Sequence, residues 1–349
     1  MTDPVRRTTP RLLICGLGSI GRRHLRNLAA LDVQDIVLLR TGKSTMPDEG
    51  LEGYPVEQDL GTALARWKPD GVVVSNPTSL HVATAYAALR AGCHVLMEKP
   101  VSDVLQPALP LLAAEHGSPG KVLVGFQFRY HPGILLARQI LETDVIGKPV
   151  SVTAHWGEYL PGWHPWEDYR SSYSARRDLG GGVVNTLSHP IDYLRFLFGD
   201  VHAVSALLST NGGLEMDVED TATLLLEFQS GVHGVVHVNY TQRPPRHDVE
   251  IVGQSGSLRW NNSDGAARWW LEDEGAWIKE MPPEGFERNH LFLDEARNFL
   301  DVIAGTDAPR CTLLDGIRAL EITEAAHEAQ RSGARVVLEP YSSGSEANG

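Results

Sequence analysis

The chain has 349 residues, of which 42% are hydrophobic and 21% charged, and its formal net charge is −13. This is the composition of an ordinary globular protein with enough chain for two domains, each with its own core. The negative balance speaks against a nucleic-acid partner, which needs concentrated Lys and Arg, and no apolar run approaches the ~18 residues needed to span a membrane.

Polar Met1–Pro10 carries Arg6 and Arg7 but no apolar core of a secretory signal. Cys15, Cys93 and Cys311 are too few and too scattered for a disulfide framework or a zinc site. A cytoplasmic location is therefore expected. The first third of the chain then alternates strand and helix signals. Leu12–Cys15 reads as a buried strand, followed by Gly16-Leu17-Gly18-Ser19-Ile20-Gly21 and a helix through Leu31. Asp35–Arg40 is the next strand, Asp59–Trp67 a helix, Gly71–Ser75 a strand, Thr78–Arg90 a helix and His94–Met97 a strand. A helix over Leu105–His116 and a strand over Lys121–Gly125 complete the series. Continuous apolar strands separated by helices predict a doubly wound parallel sheet.

Beyond Pro149 the pattern changes to longer alternating segments: Val150–Trp156, Val201–Leu208, Thr221–Phe228, Val232–Tyr240, His247–Val252 and Ser257–Trp260. Gln229-Ser230-Gly231 has hairpin-turn chemistry. A large, mostly antiparallel sheet in an α+β domain is expected, closed by helices over Asn289–Ala304 and Leu314–Ser332. The expected domains are residues 10–127 and 128–340, with the closing helices free to pack back on the first. Both termini are expected to be disordered.

The glycine loop follows an apolar strand and opens a helix, the context that a dinucleotide-binding fingerprint requires. Gly16 suits the tight turn, Gly18 the approach of pyrophosphate, and Gly21 close helix–strand packing, with Ser19 and Ile20 at the helix start offering free N–H groups. The end of the second strand reads Arg40-Thr41-Gly42-Lys43-Ser44, where an NAD site usually has Asp or Glu. A guanidinium, an ammonium and hydroxyls suit a 2′-phosphate, so NADP is expected in preference to NAD, with Arg22 and Arg23 able to add to the field.

Three further motifs accompany the loop: Ser75-Asn76-Pro77-Thr78-Ser79-Leu80-His81, Glu98-Lys99-Pro100, and Gly180-Gly181-Gly182 leading to Asn185, His189 and Asp192. Together they resemble the Gfo/Idh/MocA family of glucose–fructose oxidoreductases and inositol dehydrogenases, from Leu12 to about Leu338. The resemblance implies an N-terminal Rossmann domain and a sheet domain that supports substrate. It also implies assembly as a homodimer or homotetramer through the sheet. Lys99 matches the lysine beside nicotinamide and substrate, and Glu98 the acid that contacts the nicotinamide ribose. Ser75, Asn76, Pro77 and His81 are the further cofactor contacts expected. His189 matches the family's catalytic histidine. Asn185 stands where the family has Asp, one helical turn earlier on the same face, and amide cannot carry a proton or raise the imidazole pKa as carboxylate would.

The implied activity is hydride transfer between NADP(H) and a hydroxyl or keto group of a sugar, nucleotide sugar or cyclitol. His189 is the acid/base, Lys99 the polariser of the substrate oxygen and Asn185 the orienter, with the roles of Lys99 and His189 interchangeable. Arg129 and Tyr130, and Trp166 in the aromatic-rich segment Trp156–Tyr173, are candidate substrate contacts. No metal is expected: His233 and His237 share a strand face but lie about 13 Å apart in a regular strand. A hydrolase or lyase that oxidises its sugar transiently, and a non-catalytic NADP sensor, are the alternatives.

Overall fold

The computed structural model describes residues 9–42 and 49–340, so Lys43 and Ser44 lie outside the described residues. The chain divides into two compact units. The first runs to His131 and takes in Asp178–Gly180 and Pro283–Leu320; the second holds Pro132–Arg177, Gly181–Pro282 and the chain from Glu321 onward.

The first unit is built as β1 (Leu12–Cys15), α1 (Ser19–Ala30), β2 (Ile36–Leu39), β3 (Val56–Glu57), α2 (Leu60–Trp67), β4 (Gly71–Val74), α3 (His81–Arg90), β5 (His94–Glu98), α4 (Leu109–His116) and β6 (Val122–Gly125). All pairings in its sheet are parallel, in the order β3-β2-β1-β4-β5-β6. The direction of strand succession reverses at β1/β4, the position where α/β sheets bind ligands. Every residue of β1, β4 and β6 is buried, which is why these strands are continuous apolar runs rather than alternating ones. The short β3 gave no periodic signal. The α4 helix starts at Leu109 rather than Leu105, because Pro107 and Pro110 lack the N–H groups a helix interior needs; Pro110 is tolerated in the first turn. Cys15 and Cys93 are buried free thiols pushed up to about 12 and about 11 by desolvation, consistent with packing rather than reactivity.

The second unit contributes α5 (Pro132–Glu142), β7 (Pro149–Tyr159), α6 (Val183–Thr186), α7 (His189–Phe198), β8 (Val201–Ser209), β9 (Thr221–Phe228), β10 (His233–Asn239), β11 (Thr241–Gly253), β12 (Gly256–Asn261), β13 (Ala267–Leu271) and β14 (Ala276–Glu280). Its nine-stranded sheet has the order β14-β13-β12-β11-β7-β10-β9-β8-β15, with β15 at Val336–Val337. Only the β7–β10 pair is parallel. β11 begins at Thr241, six residues before the expected start. A register shift against β7 between Thr241 and Arg246 accommodates Pro244 and Pro245, which cannot donate to a ladder.

The helix α8 (Arg288–Ala304) belongs to the first unit, while α9 (Leu313–Ser332) begins in the first and ends in the second. Ala296 and Phe299 of α8 join the core beneath β1 and β2. Gly71 makes room for this packing, since a Cβ there would sit 2.9 Å from the Phe299 ring. Among the described residues no helix is long and apolar enough to cross a membrane.

Candidate active site

In the first unit, the glycines divide into two that are packed and one that is open. Gly16 has φ +98°, and a Cβ on it would lie 2.5 Å from the Asn76 amide nitrogen. A Cβ on Gly21 would lie 2.0 Å from the Gly16 carbonyl oxygen. These two residues let β1, α1 and the loop after β4 approach each other, and Ser75 Oγ seals the contact by donating to Gly16 O at 2.9 Å. A Cβ on Gly18, by contrast, would meet nothing within 4 Å. This glycine caps α1 without a side-chain hydrogen bond, and no acidic residue occupies the first turn. Ser19 is exposed and Ile20 half-buried beside it. The amides there are available to an anion, and the helix dipole favours one.

Next to this loop, the Asn76 side chain donates to Thr84 Oγ1 at 2.9 Å, leaving its buried Oδ1 without a partner. Pro77 is exposed. His81, expected to contact cofactor, is instead 2% exposed, with its ring nitrogens 2.8 Å from the Pro100 carbonyl oxygen and 2.9 Å from that of Asn76. Burial pushes the imidazole pKa down, so the neutral ring donates to one carbonyl at a time. His81 therefore fixes the loops after β4 and β5 to each other. Lys99 is half-buried on the second of these loops, immediately after Glu98, whose Oε1 lies 2.7 Å from His24 Nε2.

Arg40 and Thr41 follow β2, with the Arg40 amide donating to Glu57 O at 2.9 Å. Arg22 and Arg23, the further cations near this strand end in sequence, both make contacts within the first unit. Arg22 donates to the Leu17 and Glu49 carbonyls, and Arg23 lies 4.5 Å over the Phe292 ring of α8. Arg129 and Tyr130, the expected substrate contacts, have internal partners for their polar atoms. Arg129 is 3% exposed and donates to Arg310 O and Asp315, while Tyr130 donates to Asn298 Oδ1. Their polar atoms tie the segment after β6 to α8 and the start of α9, because a guanidinium and a phenol so deeply buried need partners.

In the second unit, Asn185 is 8% and His189 3% exposed. They do not share one continuous helix. Asn185 lies in the single turn of α6, and α7 begins at His189 after a break at Leu187–Ser188. Pro190 supplies the physical reason, since it has no N–H to bond the Thr186 carbonyl. The glycines before α6 are required: a Cβ on Gly181 would meet the Tyr173 carbonyl at 2.2 Å, and one on Gly182, at φ +106°, would meet Glu219 Oε1 at 2.3 Å. The Glu219 carboxylate accepts from the Val184 amide at 3.2 Å and anchors the turn carrying Asn185. Burial raises its pKa, and His327 opposes the shift.

The aromatic support of His189 was not foreseen. Its ring lies 5.4 Å from that of Trp156, which stacks on His247 at 4.3 Å and 3°. His247 in turn stands 3.4 Å from the Tyr193 hydroxyl. The signal lay in Trp156 and His247 occupying inward positions opposite each other on β7 and β11. Trp166 is 76% exposed, with His164 edge-on at 5.3 Å. His237 contacts His155 and Thr223 on the sheet face.

Both units match known families. Residues 11–126 match the family described as "Oxidoreductase family, NAD-binding Rossmann fold", and residues 134–259 match "GFO/IDH/MocA C-terminal domain". The chain belongs to the Gfo/Idh/MocA oxidoreductase family. It is 26% identical to D-apiose dehydrogenase of Paraburkholderia graminis, over 97% of this chain and 91% of that protein. To inositol 2-dehydrogenase 3 of Saccharopolyspora erythraea it is 29% identical, over 93% and 94% respectively. Levoglucosan dehydrogenase in complex with NADH and levoglucosan has the same fold, with a TM-score of 0.85, 21% identity, and coverage of 95% of this chain and 100% of that one. The chain is thus an NAD(P)-dependent oxidoreductase of this family, with an NAD-binding Rossmann fold in its first unit.

Proposed function

We propose that this oxidoreductase transfers hydride between a nicotinamide dinucleotide and a hydroxyl or keto group of a sugar or cyclitol. The observation that carries the reading is the open, uncapped start of α1 at Gly18, set beside the loops of Ser75–Asn76 and Glu98–Lys99. Sugar and inositol dehydrogenases among the relatives support the substrate class. The residues present fit the dinucleotide: Gly18 leaves space, the first amides of α1 face no acid, and the orphaned Asn76 Oδ1 can accept from a bound amide or hydroxyl.

When bound, the nicotinamide supplies the hydride acceptor or donor. Gly18, Ser19, Ile20 and Gly21 would hold its pyrophosphate, and Glu98, Ser75, Asn76 and Pro77 its nicotinamide half. In this reading His189 Nε2 or Nδ1 takes the hydroxyl proton during oxidation and returns it during reduction. Lys99 Nζ donates to the same substrate oxygen and stabilises negative charge developing there. Asn185 orients by hydrogen bonding alone. Trp166 offers an exposed ring face for the apolar side of a sugar.

The preference for NADP rests on Arg40 and Thr41 after β2, where no carboxylate follows the strand; solved relatives hold NADH. Association through the nine-stranded sheet is supported by Leu207 at 75% and Leu225 at 53% exposure on its outer face, and sedimentation of a single monomeric species would refute it. The deciding experiment is a panel of polyols and keto-sugars followed by nicotinamide absorbance. Stoichiometric turnover with at least one of them is expected; absence of turnover across the panel with bound dinucleotide would overturn the reading.

A further inference from the structure

Three ionisable side chains from three different elements, one of them Glu98, the residue before Lys99, meet in the interior of the first unit. His24 of α1 and Glu295 of α8 are both 0% exposed, and the Glu98 side chain at the end of β5 is 12% exposed. One ligand atom from each lies within 4.8 Å of the others. His24 Nε2 and Glu98 Oε1 are hydrogen-bonded at 2.7 Å. Glu295 differs: neither of its carboxyl oxygens has a hydrogen-bond partner, and His24 Nδ1 has none either. The space for this arrangement comes from Gly125, which pairs with Glu98 on β6 and whose Cβ would sit 3.2 Å from Glu98 Oε2.

An ionised carboxylate cannot remain buried without a partner beside a second carboxylate. The charged and titratable groups on the elements packed against α8 do not supply one. On α1 these are Arg22, which donates to the Leu17 and Glu49 carbonyls, Arg23, stacked over Phe292, His24, bonded to Glu98, and Arg26; on β5 they are His94 and Glu98 itself; on the turn after β6 they are Arg129, paired with Asp315, and Tyr130, bonded to Asn298. None is hydrogen-bonded to Glu295.

We propose that Glu295 is a neutral, proton-bearing positioning residue whose carboxylic acid donates to Glu98. With His24, it holds the Glu98 carboxylate in one orientation for a hydroxyl of the dinucleotide ribose. This purpose rests on the cofactor reading of Glu98 given above. Burial and the neighbouring Glu98 both push the Glu295 pKa up, in the direction the arrangement needs. The donation requires the terminal torsion of Glu295, which is broad in glutamate, to turn one carboxyl oxygen toward Glu98, whose ligand atom lies within 4.8 Å. Because Glu98 adjoins Lys99 in sequence, fixing one also restrains the backbone that carries the other.

The test uses the full chain and two variants, Glu295→Gln and Glu295→Leu. In infrared spectra at neutral pH, parent minus Glu295→Gln should show the C=O stretch of a protonated carboxylic acid; its absence overturns the proposal. In fluorescence titrations with NADPH and NADH, Glu295→Gln keeps a donor and should bind as the parent does. Glu295→Leu should bind about tenfold more weakly, the scale of one lost hydrogen bond to a charged group. If Glu295→Gln loses as much affinity as Glu295→Leu, or if the parent carries one equivalent of tightly held divalent metal that Glu295→Gln lacks, the proposal is wrong. A parent that shows the infrared band yet binds neither dinucleotide would refute the cofactor reading of Glu98 instead.

Discussion

Replacing Gly18 and Gly21 separately by alanine should divide the two jobs of the glycine loop. At Gly21 the new carbon would lie 2.0 Å from the Gly16 carbonyl oxygen, so about 1.4 Å of movement is needed to restore an ordinary 3.4 Å contact (3.4 − 2.0). That obstacle is backbone, with Ser75 Oγ at 2.7 Å on another side, and neither can swing away as a long side chain would. Overpacking of this kind costs about 1–3 kcal/mol. At about 2–4 °C per kcal/mol for a domain of 150–250 residues, Tm should fall by about 2–12 °C, and dinucleotide binding should weaken with it. At Gly18 the added methyl meets nothing within 4 Å, and φ of −69° suits any residue. Stability should fall by only about 0.5–1 kcal/mol, because alanine is a poorer N-cap than glycine. A methyl on the face where pyrophosphate approaches should nevertheless weaken NADPH and NADH binding by about tenfold or more. Thermal melts and fluorescence titration on the same preparations give both numbers. A Gly18→Ala protein that binds dinucleotide as tightly as the parent would refute the placement of phosphate at this loop.

NADPH should bind at least about tenfold more tightly than NADH, and Arg40→Asp should narrow or invert that ratio by removing a phosphate partner and adding a repelling charge; equal parental affinities would end the NADP assignment. Lys99→Met and His189→Ala should each lower kcat by about 10²–10⁴ while leaving dinucleotide-dependent thermal protection in place; full activity in either removes that residue from the chemistry. His131, stacked on Phe128, edge-on to Phe286 and 1% exposed, has its pKa lowered by burial from 6.5 to about 4. The unfolded chain thus binds more protons there between about pH 6.5 and 4, so stability falls as pH falls through that window, by about 3 kcal/mol in total. His131→Phe should flatten this acid limb in denaturant titrations, and an unchanged slope would show that another group carries it.

The alternation of apolar runs with helix signals, and a glycine loop in the right place, determined the doubly wound parallel sheet and the position of its dinucleotide loop. Periodicity of two likewise determined the long strands of the second unit, because alternation directly reports which side chains face a core. What local pattern could not report were contacts between residues far apart in the chain. Tertiary structure alone decided that His81, Arg129 and Tyr130 spend their polar groups holding loops and helices together, since burial without a partner is too costly for them. The break between Asn185 and His189 depended on where α6 stops, although Pro190 marked the spot. The meeting of His24, Glu98 and Glu295 was invisible to sequence: it requires α1, β5 and α8 to converge, and α8 lies almost two hundred residues beyond Glu98 in the chain yet packs into the same core.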